Sequence, residues 1–101
     1  MVLAAIADPT RRSILERLRT GELPAGEVGR DLPMSQPAVS KHLRILREAG
    51  LVRERRAGTR RIYALDQAGL AELRTWIDAF WEAPLQAFQD AAETTYERSE
   101  R

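Results

Sequence analysis

The 101-residue sequence predicts a mainly α-helical fold with about five helices and one small β-hairpin. Two observations lead to this prediction. Apolar residues recur three and four positions apart between breaks made by Pro, Gly and Asp, which is the spacing of amphipathic helices. One segment instead mixes polar and apolar residues on both sides of Gly58, as two short strands do. With 44% hydrophobic residues the chain can build one core, so we expect a single domain over residues 1–101.

The first three predicted helices are short and are bounded by turn-forming residues. The first covers residues 2–7. Asp8 is placed to cap the second helix, and Pro9 takes its first position, where a missing N–H costs nothing. Gly21 closes that helix. The third is predicted for residues 25–32 and contains two glycines, so it depends on packing against its neighbours.

The fourth predicted helix begins after Ser35, a good capping residue, and ends at Gly50. On a helical wheel Val39, Leu43 and Leu46 share one face, which we expect to join the core. The rest of the surface is polar and basic, and consists of Gln36, Ser40, Lys41, Arg44 and Arg47.

A hairpin and a last helix complete the predicted fold. The hairpin covers residues 51–65, and its pattern does not fix which strand face points inward. Asp66 can cap the last helix, and Pro84 is expected to kink or break it. The apolar residues of this helix recur at helical spacing and include Leu70, Leu73, Ile77 and Phe80.

The positive charge is concentrated in one segment. Residues 1–40 carry five basic and five acidic side chains, residues 41–61 carry eight and two, and residues 62–101 carry three and eight. The overall net charge of +1 therefore hides a segment of +6 followed by one of −5. A clustered positive field is typical of a surface that binds a polyanion. A uniformly basic, histone-like binder is excluded.

Two short helices joined by a tight break, the second with a small and polar first turn, form the helix-turn-helix arrangement that reads the major groove of DNA. The predicted fold is therefore a winged helix-turn-helix, with the hairpin as its wing. We predict that the recognition helix contacts double-stranded DNA through Ser35, Gln36, Ser40, Lys41, His42 and Arg44. The predicted wing contacts, to phosphate or the minor groove, are Arg55, Arg56, Thr59, Arg60 and Arg61.

Four segments of the sequence resemble motifs of the ArsR family of bacterial winged-helix repressors. In the family's order they are Ala7 to Arg12, Ser35 to Leu46, Ala49 to Val52 and Gly58 to Leu65. The resemblance covers about residues 3–83 and implies a repressor that binds an imperfect palindromic operator as a homodimer. Many members of the family sense metals through Cys or His ligands. This chain has no Cys and one His, so it resembles a branch without a metal site.

The resemblance implies that the first and last helices build the dimer. Large apolar side chains on these helices predict the contact surface, which consists of Leu3, Ile6, Leu73, Trp76, Ile77, Phe80, Trp81 and Phe88. In the first motif, helix capping explains Asp8, and contact with the DNA backbone is the less favoured interpretation of Arg11 and Arg12.

The composition argues against catalysis and against bound cofactors. With no Cys, one His and no Gly-rich phosphate loop, the chain lacks the residues for nucleophilic, general acid–base and metal chemistry. We therefore expect no enzyme activity, no cofactor and no metal ligand, and we assign His42 a packing or phosphate-contacting role. No apolar run approaches the roughly 20 residues of a membrane span, so we expect a cytoplasmic protein without a membrane partner.

Two other functions stay open at this point. One is a winged-helix module that assembles proteins without binding DNA, against which the basic segment argues. The other is a DNA-binding sensor of an unidentified effector, which the sequence neither requires nor excludes.

Overall fold

The computed structural model describes residues 2–81, which form five helices and a three-stranded antiparallel sheet. The helices are α1 (Val2–Ala7), α2 (Pro9–Leu18), α3 (Ala25–Val28), α4 (Gln36–Glu48) and α5 (residues 67–81). The strands are β1 (Leu23–Pro24), β2 (Val52–Ala57) and β3 (Arg60–Leu65). The mainly α-helical fold with a hairpin is confirmed. The chain divides into two compact units, with the boundary after Ala71.

Asp8 caps α2 as the sequence predicts. Its Oδ1 atom accepts hydrogen bonds from the backbone N–H groups of Thr10, at 2.8 Å, and Arg11, at 3.2 Å. The bond from Arg11, reinforced by the one from Thr10, lowers the pKa of the Asp8 carboxyl below its ordinary value of 3.8. The charged form of Asp8 therefore stabilises the start of α2.

Arg11 and Arg12 together donate hydrogen bonds to the free carbonyls at the C-terminal end of α1. The last four carbonyls of a helix have no partner within the helix. Arg11 donates to the carbonyls of Ala4 and Ala5, at 3.0 and 2.7 Å. Arg12 donates to those of Ile6 and Ala7, at 2.8 and 3.0 Å. All four carbonyls are thus hydrogen-bonded by two side chains of α2, which explains a six-residue helix that is too short to be stable alone.

The third helix is shorter than predicted, because α3 ends at Val28 rather than at residue 32. The chain turns at Gly29, where a Cβ atom would lie 2.5 Å from Cγ2 of Val39 on α4. A glycine here lets the α3–α4 turn lie directly against the recognition helix. The sequence pattern could not show this close approach, because it joins two residues that only the fold brings together.

The predicted apolar face of α4 is confirmed. Val39, Leu43 and Leu46 are each at most 1% exposed. Ser35 caps the helix with its hydroxyl, which accepts from the backbone N–H of Ala38 at 3.4 Å. Gly50 follows the helix with a positive φ of 80°, as a glycine after a helix end commonly has. Around this face the core contains Ala5, Ile14, Leu18, Val28, Leu51, Val52, Ile62 and Tyr63.

The sheet has the order β1-β3-β2, so a short third strand joins the predicted two-stranded hairpin. In β1, Leu23 pairs with Tyr63 and Pro24 with Ile62. Gly58 lies at the tip between β2 and β3 with a φ of 65°. The pairing of β2 with β3 sets the two faces of the wing, which the sequence pattern left open.

Asp66 caps α5, since its Oδ1 atom accepts from the backbone N–H groups of Ala68, at 3.1 Å, and Gly69, at 3.3 Å. Beyond the unit boundary, Trp76 and Phe80 pack edge to face with ring centroids 4.5 Å apart. Three aromatic residues of this part of α5 are exposed, namely Trp76 (47%), Phe80 (58%) and Trp81 (64%). The predictions for Pro84 and Phe88 lie outside the described residues.

Candidate nucleic-acid interface

A groove of about 440 Å³ separates α4 from the wing. Its lining is Pro37, Ser40, Lys41, Arg44 and Arg47 from α4, with Arg61 and Tyr63 from β3. Four of these seven side chains are cationic. The fold therefore brings Ser40, Lys41 and Arg44, three of the predicted recognition residues, to the same surface as Arg61 of the predicted wing.

The remaining recognition residues lie elsewhere on α4. Ser35 is engaged in the helix cap, although its side chain is exposed. Gln36 is exposed and donates weakly to the carbonyl of Gly26, at 3.4 Å. His42 is half-buried and faces α2, with Nδ1 lying 3.2 Å from Nη1 of Arg11. Because a guanidinium can only donate, Nδ1 of His42 is the acceptor of this bond.

The register of the wing divides its arginines between two faces. Residues directly opposite each other in an antiparallel pair share a face. Arg56 lies opposite Arg61, and both share the face of the groove-lining Tyr63. Arg55 lies opposite Ile62, on the other face, where it forms a two-point ion pair with Glu22. The structure thus separates Arg55 from Arg56 and Arg61, whereas Arg60, opposite Ala57 next to the tip, shares the face of Arg55.

The ion pair between Arg55 and Glu22 fixes the outer face of the wing. The side-chain hydrogen bond from Arg55 lowers the pKa of Glu22 below its ordinary value, and the same bond raises the pKa of Arg55. Both side chains are solvent-exposed, so this pair orients Arg55 more than it stabilises the fold.

Four predicted DNA-contacting cations form no ion pair within residues 2–81, namely Lys41, Arg44, Arg56 and Arg60. All four are exposed. Arg56 and Arg61 also face each other across the hairpin, and like charges directly opposite destabilise a strand pair. A bound polyanion would neutralise this repulsion.

Glu54 contacts residues of the site and was not predicted from the sequence. Its Oε2 atom accepts from Nη1 of Arg47 and, at 3.0 Å, from the hydroxyl of Tyr63. Its Oε1 atom lies 3.8 Å from Nε of Arg61, and the side chain is only 15% exposed. A signal was present, because Glu54 is two residues after the buried Val52 and so lies on the same face of β2.

The pKa of Tyr63 is raised above its ordinary value by its surroundings. Burial raises the pKa of the Tyr63 phenol, the hydrogen bond to Glu54 raises it further, and Arg61 partly offsets both. Tyr63 therefore remains a neutral donor to Glu54, which keeps the carboxylate between the helix and the wing.

The residues present do not fit a metal site of the kind that Cys and His ligands build. Within the described part of the chain, no group of three or more His, Cys, Asp or Glu side chains could hold a metal ion. The single His42 faces the Arg11 guanidinium, a cation that opposes metal binding at the same nitrogen. Among residues 2–81, no helix is both long enough and apolar enough to cross a membrane.

Comparison with known proteins decides the family. A family model described as a helix-turn-helix domain matches residues 6–55. The HTH-type transcriptional regulator Rv2034 of Mycobacterium tuberculosis is 57% identical over 84 residues, which cover 83% of this chain and 78% of that protein. The solution NMR structure of a homodimeric winged helix-turn-helix DNA-binding domain from Mycobacterium bovis, a possible ArsR-family regulator, matches with a TM-score of 0.66 and 29% identity, covering 84% of this chain and 79% of that one. This chain belongs to the ArsR family of winged helix-turn-helix transcriptional regulators.

A further relative is the transcriptional repressor SdpR of Bacillus subtilis, 37% identical over 76 residues, which cover 75% of this chain and 84% of that protein. Membership of the ArsR family confirms the resemblance seen in the four sequence motifs. It also confirms a DNA-binding regulator rather than an enzyme.

Proposed function

We propose that this ArsR-family chain is a cytoplasmic, homodimeric repressor that recognises an imperfect palindromic operator in double-stranded DNA. One winged-helix head per subunit, within a single domain, would insert α4 into the major groove. The two heads would contact half-sites about 34 Å apart, one helical turn of DNA.

The groove between α4 and the wing carries this proposal. Lys41 and Arg44 line it, are exposed and have no ion-pair partner within residues 2–81. Unpaired cations on a concave surface attract phosphate strongly, because binding releases the counterions condensed on DNA. The same surface argues against a protein-assembly module, which has no use for uncompensated positive charge.

We assign the proposed DNA contacts from the position of each side chain and from the groups that it can present to DNA. Gln36 and Ser40 are exposed on α4 and present groups that can pair with base edges. Lys41, Arg44 and Arg61 line the groove as phosphate contacts. Ser35 at the start of α4 and His42 in its middle are proposed as further phosphate contacts outside the groove lining. At the wing tip the proposed contacts are Arg56, Thr59 and Arg60, with Arg55 held by Glu22 on the outer face.

Exposed apolar side chains support the proposed dimer. In the unit after Ala71, Trp76, Phe80 and Trp81 are 47 to 64% exposed. Leu3 on α1 is 43% exposed. Large aromatic side chains exposed on one helix are typical of a surface that a partner covers. The structural relative from Mycobacterium bovis is itself a homodimer, and we propose that Ile6, Leu73 and Ile77 join these residues in the contact.

Selection of DNA from a random pool, followed by fluorescence anisotropy, tests the proposal. The purified full chain selects duplexes, and affinity is then compared between the selected duplex and a shuffled one of equal length. We expect two inverted half-sites and at least about a thousandfold tighter binding of the selected duplex. Absence of binding to either duplex at low salt contradicts DNA binding and supports the assembly module.

A pair of arginine variants tests the role of the groove. Arg44→Ala is expected to weaken binding and to lower the slope of log K against log salt by about one per subunit. The control is Arg19→Ala, which removes the same charge just after α2, where Arg19 is paired with Glu16 and does not line the groove. Equal losses from the two variants would show that net charge, not the groove, drives binding.

A further inference from the structure

An acidic side chain lies next to two of the arginines that line the groove. Glu54 contacts Arg47 of α4 and approaches Arg61 of β3, and both arginines line the groove. The three groups together carry a charge of +1 instead of the +2 that the arginines alone would have. Lys41 and Arg44 line the same groove without an ion pair in the described residues, so the groove contains two classes of cation.

The difference between these classes has a consequence for DNA binding. Lys41 and Arg44 can approach any phosphate without giving up an ion pair. Arg47 and Arg61 must first weaken their contacts with Glu54, a carboxylate that is 15% exposed and is also held by the hydroxyl of Tyr63. A loosely seated, non-specific duplex offers too few contacts to compensate for this loss. A duplex that fits the groove closely brings phosphates near enough to replace Glu54 as partner.

We propose that Glu54 competes with DNA phosphates for Arg47 and Arg61 and so limits the affinity for DNA that fits the groove. The inference rests on the proposed function, since it concerns how tightly each kind of DNA is bound and not whether DNA is bound. Glu54 lowers the affinity for all DNA, and it lowers the affinity for operator DNA more, because only that DNA replaces the contacts with Glu54. The ratio of the two affinities depends on this difference.

Glu54→Gln tests the proposal, because an amide oxygen still accepts from Arg47 and Tyr63 while the negative charge is removed. We expect affinity for a shuffled duplex to rise about fourfold per subunit, the factor expected for one unit charge about 5 Å from a phosphate in a water-like dielectric. The slope of log K against log salt should steepen by about one per subunit. Affinity for the selected duplex should rise more, because only there are the contacts with Glu54 given up, so that the ratio of the two affinities increases.

The matched control is Glu16→Gln, which also removes one carboxylate from an arginine pair, but on α2 and outside the groove lining. An equal rise in non-specific affinity for both variants overturns the proposal, because the effect would then come from net charge alone. Weaker binding of Glu54→Gln to both duplexes also overturns it, since Glu54 would then only position the arginines. Thermal melting of each variant shows whether the chain is folded.

A second pair of variants keeps Glu54 in place and tests the proposal even where Glu54→Gln fails to fold. Arg44→Gln should weaken binding to the selected and the shuffled duplex alike. Arg47→Gln should weaken the selected duplex by a similar factor and the shuffled duplex clearly less, because Arg47 remains with Glu54 there. Equal losses on the shuffled duplex overturn the proposal. A wild-type chain that binds neither duplex overturns the proposed function, and this inference with it.

Discussion

Replacing Gly29 by alanine tests how closely the helix-turn-helix is packed. The added Cβ would lie 2.5 Å from Cγ2, 3.2 Å from Cγ1 and 3.3 Å from Cβ of Val39. Val39 is 1% exposed, and a valine within a helix has one strongly preferred χ1 rotamer. It cannot rotate away, so α3 and α4 have to separate.

The expected loss of stability combines two opposing effects. Overpacking of a well-packed core costs about 1 to 3 kcal/mol. Alanine restricts the unfolded chain, which returns about 0.4 to 1 kcal/mol at a position where the backbone tolerates it. Gly29 has a φ of −98°, so backbone strain adds nothing. We expect Gly29→Ala to lower the free energy of unfolding by about 1 to 2 kcal/mol, and Tm by about 4 to 8 °C per kcal/mol.

Thermal and denaturant unfolding followed by circular dichroism measure this loss. Gly26→Ala is the control, because Gly26 lies in α3, three residues before Gly29, and its added Cβ would meet nothing within 4 Å. We expect that variant to be as stable as the wild type or slightly more stable. In a double-mutant cycle, Val39→Ala should make Gly29→Ala less harmful by more than about 0.5 kcal/mol. Stability of Gly29→Ala equal to that of Gly26→Ala, or an additive cycle, would refute the packing argument.

Three further predictions concern the cap, the wing tip and the wing charges. The wild type should be more stable than Asp8→Asn at pH values above 3.8, the ordinary pKa of Asp8, and this advantage should vanish as the pH falls through the lowered pKa of the folded state. Denaturant unfolding of both proteins across this pH range measures the advantage. A difference in stability that does not change with pH contradicts the prediction. Gly58→Ala should cost about 1 to 2 kcal/mol in thermal unfolding, because φ is 65° there, and an unchanged Tm counts against it. Arg60→Ala should weaken selected and shuffled duplexes by the same factor in anisotropy titrations, whereas a loss confined to the selected sequence argues against a phosphate contact.

Features that depend on neighbouring residues could be predicted from the sequence. Asp8, Ser35 and Asp66 each cap a helix within three residues of themselves, and all three caps are present. The close approach of Gly29 to Val39, ten residues later, could not be predicted, because it joins a turn to a helix that only the fold brings together. The same limit applies to β1, whose two residues become a strand only by pairing with β3, about 40 positions later.

The candidate site also combines features that the sequence predicts with features that it does not. The clustered charge of residues 41–61 predicts a basic surface, and the wheel of α4 predicts which of its side chains are exposed. Sequence alone could not tell which of the adjacent Arg55 and Arg56 shares the face of the groove, nor that Arg55 pairs with Glu22, since both depend on how the strands pair and pack. Nor could it show that Glu54 reaches Arg47 across the groove, because that contact joins a strand to a helix.

The two arginines that terminate α1 have a mechanical consequence. Arg11 grips the carbonyls of Ala4 and Ala5 and, with the same guanidinium, contacts His42 on α4. We therefore expect α1 to be held firmly against α2 and α4. One planar guanidinium thus joins the end of the helix that carries Leu3 to the helix proposed to read DNA. In the proposed dimer, we expect the position of α1 to influence the distance between the two copies of α4.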